Sequence, residues 1–253
     1  MLWRLALLFV VAALPLRAEE QVVLGLSRDQ VAITATFEGS DILIFGAVKR
    51  EVAIPDTPLD VVITISGPSL PVTVRRKSRE FGIWVNTAMV DLDAAPSFYA
   101  VATTGPLNEV LSDTEDLRHR VSIPRAIRSV GAATMAADSE RFIEALIRIK
   151  REDDAYQMRE GAVAIDQQTL FRTAISMPAN LTEGTYQTRI FLTRGGRVVA
   201  RYETEIDVRK VGLERFLFTM SREQPFLYGL MSLTIAIFAG WSASAAFQVL
   251  RRG

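Results

Sequence analysis

Few residues in this chain have the types and spacing that chemistry needs. A single histidine, His119, stands in "DLRHRVS", and any Ser–His–Asp relay would have to run through it. Arg118 and Arg120 on either side favour a neutral imidazole, but no GxSxG elbow accompanies it, so His119 reads as a solvated loop residue. Carboxylates occur close together at Asp91 and Asp93, at Asp113, Glu115 and Asp116, and at Asp153 and Asp154. Each group falls in a turn or on a polar face, whereas acid catalysis calls for an apolar setting that raises a carboxyl pKa. There is no P-loop and no GxGxxG after a strand, and the Asp-rich turns lack the spacing of a calcium loop. The chain contains no cysteine, which removes disulfides, thiolate nucleophiles and Cys-based metal sites. The expectation is a protein that is not an enzyme and that carries no metal and no cofactor.

One cluster remains. "TVRRKSREFGIWVN" places Arg75, Arg76, Lys77 and Arg79 in five consecutive positions shortly before Trp84. If Val72 and Val74 face a core, Thr73 and Arg75 face solvent, and Arg76 points inward unless the strand ends there. The plain reading makes Arg76 to Glu80 an exposed hairpin loop. The sharper one is an anion or lipid-headgroup contact, because guanidinium forks suit oxyanions and Trp84 supplies an amphipathic edge.

The elements that must position this cluster are mostly strands. "QVVLGLS", "QVAITATF", "DILIFGAV", "LDVVITISG" and "LPVTVRR" are short alternating runs separated by turn signals, among them Arg28-Asp29, Gly39-Ser40-Asp41 and Gly67-Pro68-Ser69. Gly195-Gly196 joins "TYQTRIFLTR" to "RVVARYETEIDVRK" as a hairpin. Strands at this spacing favour a β-sandwich over parallel βαβ units. From about 106 to 160 the period turns helical, and "ADSERFIEALIRIKRED" aligns Phe142, Leu146 and Ile149 on one stripe. The expected fold is mainly β: an immunoglobulin-like β-sandwich with a helical insertion, Tyr186 being its corner tyrosine. Two small β domains joined by a helical linker also fit the pattern.

Both ends are apolar. Arg4 precedes an uncharged run from Leu5 to Leu14, followed by "PLRA", the layout of a signal peptide over residues 1–18. Residues 19–212 would then form the periplasmic domain, and 213–224 a short amphipathic juxtamembrane segment. Residues 225–250 carry no charge and would extend roughly 37 Å as a helix, enough for a hydrocarbon core of about 30 Å. Arg251 and Arg252 put the tail, 251–253, in the cytoplasm by the positive-inside rule. The expected location is therefore a bacterial inner membrane, crossed once. Within the span Ala236, Gly240 and Ser244 share a helical face, with Gly229 and Ser232 close to it, and small residues so spaced admit a second helix. The partners expected are the lipid bilayer and a membrane protein. The balance of 29 basic and 29 acidic residues excludes a general field for nucleic acid.

Four stretches carry a resemblance: "GPSLPVTVRRKSREFGIWVN", "PSFYAVATTGPL", "LFRTAISMPANLTEGTYQTRIFLTRGGRVV" and "KVGLERFLFTMSREQPFLYGLMSLTIAIFAGWSASAAF". Together they resemble the alphaproteobacterial putative transmembrane protein family. The resemblance implies an exported single-pass protein and, loosely, company with a permease of the sulfite-exporter type. It implies no catalytic residues. The function expected is an accessory or interaction subunit for a multi-pass membrane protein such as an anion exporter; a stand-alone envelope ligand-binding module tethered by its helix is the alternative.

Overall fold

The computed structural model describes residues 21–27, 30–34, 37–50, 54–128, 136–211 and 213–252. The expected signal peptide and the Arg28-Asp29 turn lie outside them, as do the side chains of Leu213 and Phe216. The chain is mainly β, with helices and one apolar helix near its C-terminal end, and its sheets include a curled half-barrel.

Strands β1 (Gln21–Leu26), β3 (Ser40–Lys49), β9 (Ala164–Asp166) and β10 (Leu170–Met177) make an antiparallel sheet in the order β1-β3-β10-β9. Its period-two sequences put Ile42, Ile44, Phe171 and Ile175 in the core, while Leu43, Phe45 and Leu170 on the other face stay exposed. A second sheet holds β2 (Gln30–Ile33), β4 (Asp60–Ser66), β7 (Tyr99–Thr103), β8 (Tyr156–Arg159), β11 (Gly184–Arg194) and β12 (Arg197–Lys210), in the order β2-β12-β11-β4-β7-β8. Both sheets combine strands from before and after the helical stretch. Strands β5 (Ser69–Glu80) and β6 (Ile83–Pro96) form a separate two-stranded sheet, a long antiparallel hairpin, with one further bridge from Ala94 to Arg128.

Four helices separate β7 from β8 among the described residues: α1 (Leu107–Val110), α2 (Asp113–His119), α3 (Ile123–Ala126) and α4 (Ala136–Glu152). The strand pattern favoured no parallel unit, yet β7 and β8 pair in parallel, Tyr99 opposite Tyr156. The segment between them is long enough to bring the chain back to the same end of the sheet, which a parallel neighbour requires.

β4 is buried on both faces, from Val61 to Ile65. On one face Val62, Val101 and Phe191 cluster with Val74 and Leu92 at the hairpin base and with Phe142 and Leu146 of α4. The expected helical stripe is displaced. Phe142, Leu146 and Ile147 are buried, whereas Ile149, at the edge of that arc, is exposed. At the start of β11 the buried Tyr186 hydroxyl donates to the Thr182 carbonyl at 2.8 Å, the corner contact expected from "LTEGTYQTRI".

The described chain divides into two compact units: residues up to Val31 with Glu38–Val208, and Ala32–Phe37 with the chain from Arg209 onward. The second contains α5 (Leu213–Glu223) and α6 (Pro225–Arg252). Pro225 suits the first turn of α6, where its missing N–H has no helical partner to lose.

Candidate functional site

The basic cluster is strand, not loop. β5 continues through the whole of "RRKSRE", and the chain reverses only at Phe81-Gly82, whose φ angles of 49° and 87° make a two-residue turn of the primed type. Asn-Gly is the usual signal for such a turn, and an aromatic residue in its left-handed first position concealed it. Register then sorts the cations. Arg75 pairs with Met89, Lys77 with Asn86 and Arg79 with Trp84, all on one face of the ribbon. A bulge between Arg76 and Lys77 adds an extra residue, Thr87, on the other strand. Thr87 and Ser78 share a hydroxyl hydrogen bond of 2.5 Å on the opposite face.

Arg76 belongs to that opposite face. Its guanidinium lies 5.9 Å from the Phe142 ring centroid, so it is tied to α4 and leaves the row of cations. Arg75, Lys77, Arg79 and Trp84 remain together, as their spacing in the sequence suggests, and they gain neighbours that the spacing did not reveal. Phe81 at the turn is fully exposed, and Ile83, Trp84 and Met89 are each more than half exposed. The available signal was Phe81 and Ile83 flanking Gly82, which reads as core until the turn is located.

His119 is not a loop histidine. It ends α2, its ring packs 5.2 Å from that of Phe191, and its Nε2 lies 3.3 Å from Glu115. Burial holds its pKa below the usual histidine value; Arg201 and Arg118 push the same way, against the pull of Glu115. The carboxylate of Asp116 accepts from the backbone N–H groups of Val121 and Ser122 at 3.0 and 2.7 Å and from Arg125 Nε at 2.9 Å. Arg189 reaches across from β11. It donates to the His119 carbonyl at 2.7 Å, the Arg120 carbonyl at 3.2 Å and the Tyr99 hydroxyl at 3.1 Å. Burial lifts the Tyr99 hydroxyl to about 12, so it stays protonated and donates to the Val121 carbonyl at 2.8 Å. Each of these polar groups secures the chain reversal after α2. Among the described residues no group of three or more His, Asp or Glu side chains could hold a metal ion.

α6 contains a window, Pro225–Ser244, long and apolar enough to cross a membrane, with none of it buried inside the protein. Gly229, Ser232, Ala236, Gly240 and Ser244 all lie in it, and a Cβ added at Gly229 or Gly240 would meet nothing within 4 Å. A groove of about 690 Å³ runs over the exposed face of the four-stranded sheet, bordered by Val23, Phe45, Leu170 and Arg172.

No curated protein matches the chain. Among solved structures, BslA, a bacterial hydrophobin, aligns over 76% of this chain and 98% of its own, at 13% identity and a TM-score of 0.22. That likeness is too low to assign a fold. The family model described as "Putative transmembrane protein" spans residues 21–249, nearly the whole chain, and the protein belongs to that family.

Proposed function

We propose that this chain is a non-catalytic accessory subunit, anchored in the bacterial inner membrane by α6, that serves a multi-pass membrane protein such as an anion exporter of the sulfite-exporter type. The signal peptide and the positive-inside rule support a periplasmic β domain and a cytoplasmic C-terminus. The Tyr186 corner contact and the alternating sheets support an immunoglobulin-like sandwich for that domain. A non-catalytic role is supported by the use made of the one histidine and the carboxylates around it, which cap and brace α2.

The observation that carries the reading is the bare small-residue face of α6. A tether needs only bulky apolar side chains, whereas Ala236, Gly240 and Ser244 at four-residue spacing let another helix approach its backbone closely. The test is in-cell crosslinking of the full chain, purification in mild detergent and mass spectrometry of the proteins that co-purify. A joint Ala236→Leu, Gly240→Leu and Ser244→Leu variant serves as the control. A multi-pass transporter recovered with the native chain and lost from the variant supports the proposal. Equal recovery from both removes the helix face from the role, and no stoichiometric membrane partner in either defeats it.

A second reading has its own observation, the groove beside Val23, Phe45 and Leu170. An apolar concavity of that size on a sheet face suits a ligand-binding module for which α6 is only a tether. Binding that survives replacement of α6 by an unrelated polyleucine anchor would favour it.

A further inference from the structure

The hairpin has a second feature that the accessory role does not use. Phe81, Ile83 and Trp84 crown its tip, exposed to 104%, 65% and 69% of their surface. Arg75, Lys77 and Arg79 stand at alternate positions along one face of the shaft below. The tip is only two strands wide and lies beyond Val74 and Val90, which join the core, with Trp84 on one face of the ribbon and Ile83 on the other. Three large apolar groups at the end of one ribbon are costly to leave in water, and a protein rarely gathers them without something to cover them.

We propose that the β5–β6 hairpin is a lipid-contacting element: Phe81, Ile83 and Trp84 enter the interfacial layer of an anionic phospholipid bilayer, while Arg75, Lys77 and Arg79 bind headgroup phosphates. The occupant is identified by the chemistry. Tryptophan prefers the boundary between hydrocarbon and water, and arginine forks match phosphate oxygens. Arg79 is the cross-strand partner of Trp84, which sets a cation directly beside the aromatic ring at headgroup depth. The carboxylates that alternate onto the same face, Asp91 and Asp93, lie farther along β6 from the tip, and Asp91 accepts from Thr73 Oγ1 at 2.5 Å. Arg76 is turned toward Phe142 and takes no part. A protein groove is the less fitting cover, because the tip exposes apolar surface on both sides of the ribbon. The proposal also rests on α6 being a membrane anchor, which ties the chain to a lipid bilayer.

The absence of cysteine allows a single label. Glu80→Cys carries an environment-sensitive fluorophore beside the intact tip, and Asp56→Cys serves as a control at an exposed loop. The full chain is placed in phosphatidylcholine nanodiscs, in phosphatidylglycerol nanodiscs, and in phosphatidylcholine nanodiscs titrated with phosphatidylglycerol vesicles. Nitroxide-bearing lipids report contact. The expected result is a blue shift and quenching at position 80, with none at 56, in one or both of the phosphatidylglycerol samples. Neutralising Arg75, Lys77 and Arg79 to Gln should weaken vesicle binding about a hundredfold, at roughly fivefold for each cation near an anionic surface. Arg76→Gln should leave it unchanged. Phe81→Ser with Trp84→Ser should abolish the blue shift while native far-ultraviolet dichroism is retained. A label that stays in water in every arm, in chain that has reconstituted, overturns the proposal and leaves the anchor intact. Equal quenching in pure phosphatidylcholine overturns the role of the cations. Dimers crosslinked through the thiol introduced at position 80, with no lipid quenching, would assign the tip to a second copy instead. Chain that fails to enter nanodiscs at all would defeat the anchor reading itself.

Discussion

Replacing Asp116 by alanine should cost this protein about 3 kcal/mol, and replacing it by asparagine much less. The carboxylate is nearly buried, with a side-chain exposure of 12%, and it holds the loop that turns α2 into α3. Its Oδ1 accepts both the buried Val121 N–H and the Ser122 N–H, and these two bonds set Val121 and Ile123 into the core at 0% exposure. Alanine leaves the Val121 N–H without a partner where water cannot reach it, a loss of about 1–3 kcal/mol. The Ser122 N–H is only partly buried and adds about 1 kcal/mol. Arg125 is more than a third exposed, so losing its ion pair adds at most about 1 kcal/mol. In a unit of this size about 3 kcal/mol corresponds to a melting temperature lower by roughly 6–12 °C. Asparagine keeps the Oδ1 acceptor and misplaces only an amide against Arg125, for a fall of roughly 2–4 °C. The assay is near-ultraviolet circular dichroism of the full chain in detergent, which monitors the β region while the anchor helix stays folded. An alanine variant that melts within a degree or so of wild type would refute the reasoning. So would an asparagine variant as damaged as the alanine one, because the two backbone donors carry most of the cost.

The same geometry sets two further outcomes. Because burial holds the His119 pKa below its usual value, the unfolded chain binds more protons in the window beneath about pH 6.5. Stability is therefore fully present above that pH and declines as pH falls toward the folded-state value; His119→Gln should flatten the slope, and an imidazole proton resonance titrating above 6.5 would contradict it. At Gly46 on β3 an added Cβ would lie 2.5 Å from Phe171 Cζ and 2.9 Å from the Val23 carbonyl oxygen. Gly46→Ala should therefore cost about 1–3 kcal/mol in a guanidinium titration, against near-neutrality for an alanine at exposed Glu205.

Much of the architecture was legible because it depends on local pattern. The uncharged stretch from Pro225 is a helix by its length and composition alone, and "DILIFGAV" and "LFRTAISM" announced strands with one buried face through alternation. Tyr186 was legible from the turn before it. Other features depend on partners distant in sequence. Nothing in the neighbourhood of His119 tells that Phe191 will lie against its ring, and nothing near Tyr156 tells that it will pair in parallel with Tyr99.

The hairpin divides the two kinds of information most sharply. By itself the sequence determined that four cations and a tryptophan would lie within a few residues of one another, and that the stretch from Pro225 is a helix long and apolar enough for a bilayer. Only tertiary structure decided which of those cations stand on one face. The position of the turn at Phe81-Gly82 and the bulge after Arg76 set the register, and in a strand register chooses the face on which each side chain stands. Packing of α4 then drew Arg76 to Phe142, leaving Arg75, Lys77 and Arg79 in a row beneath an exposed apolar tip. Proximity in sequence supplied the charges, and the pairing of two strands turned them into a surface.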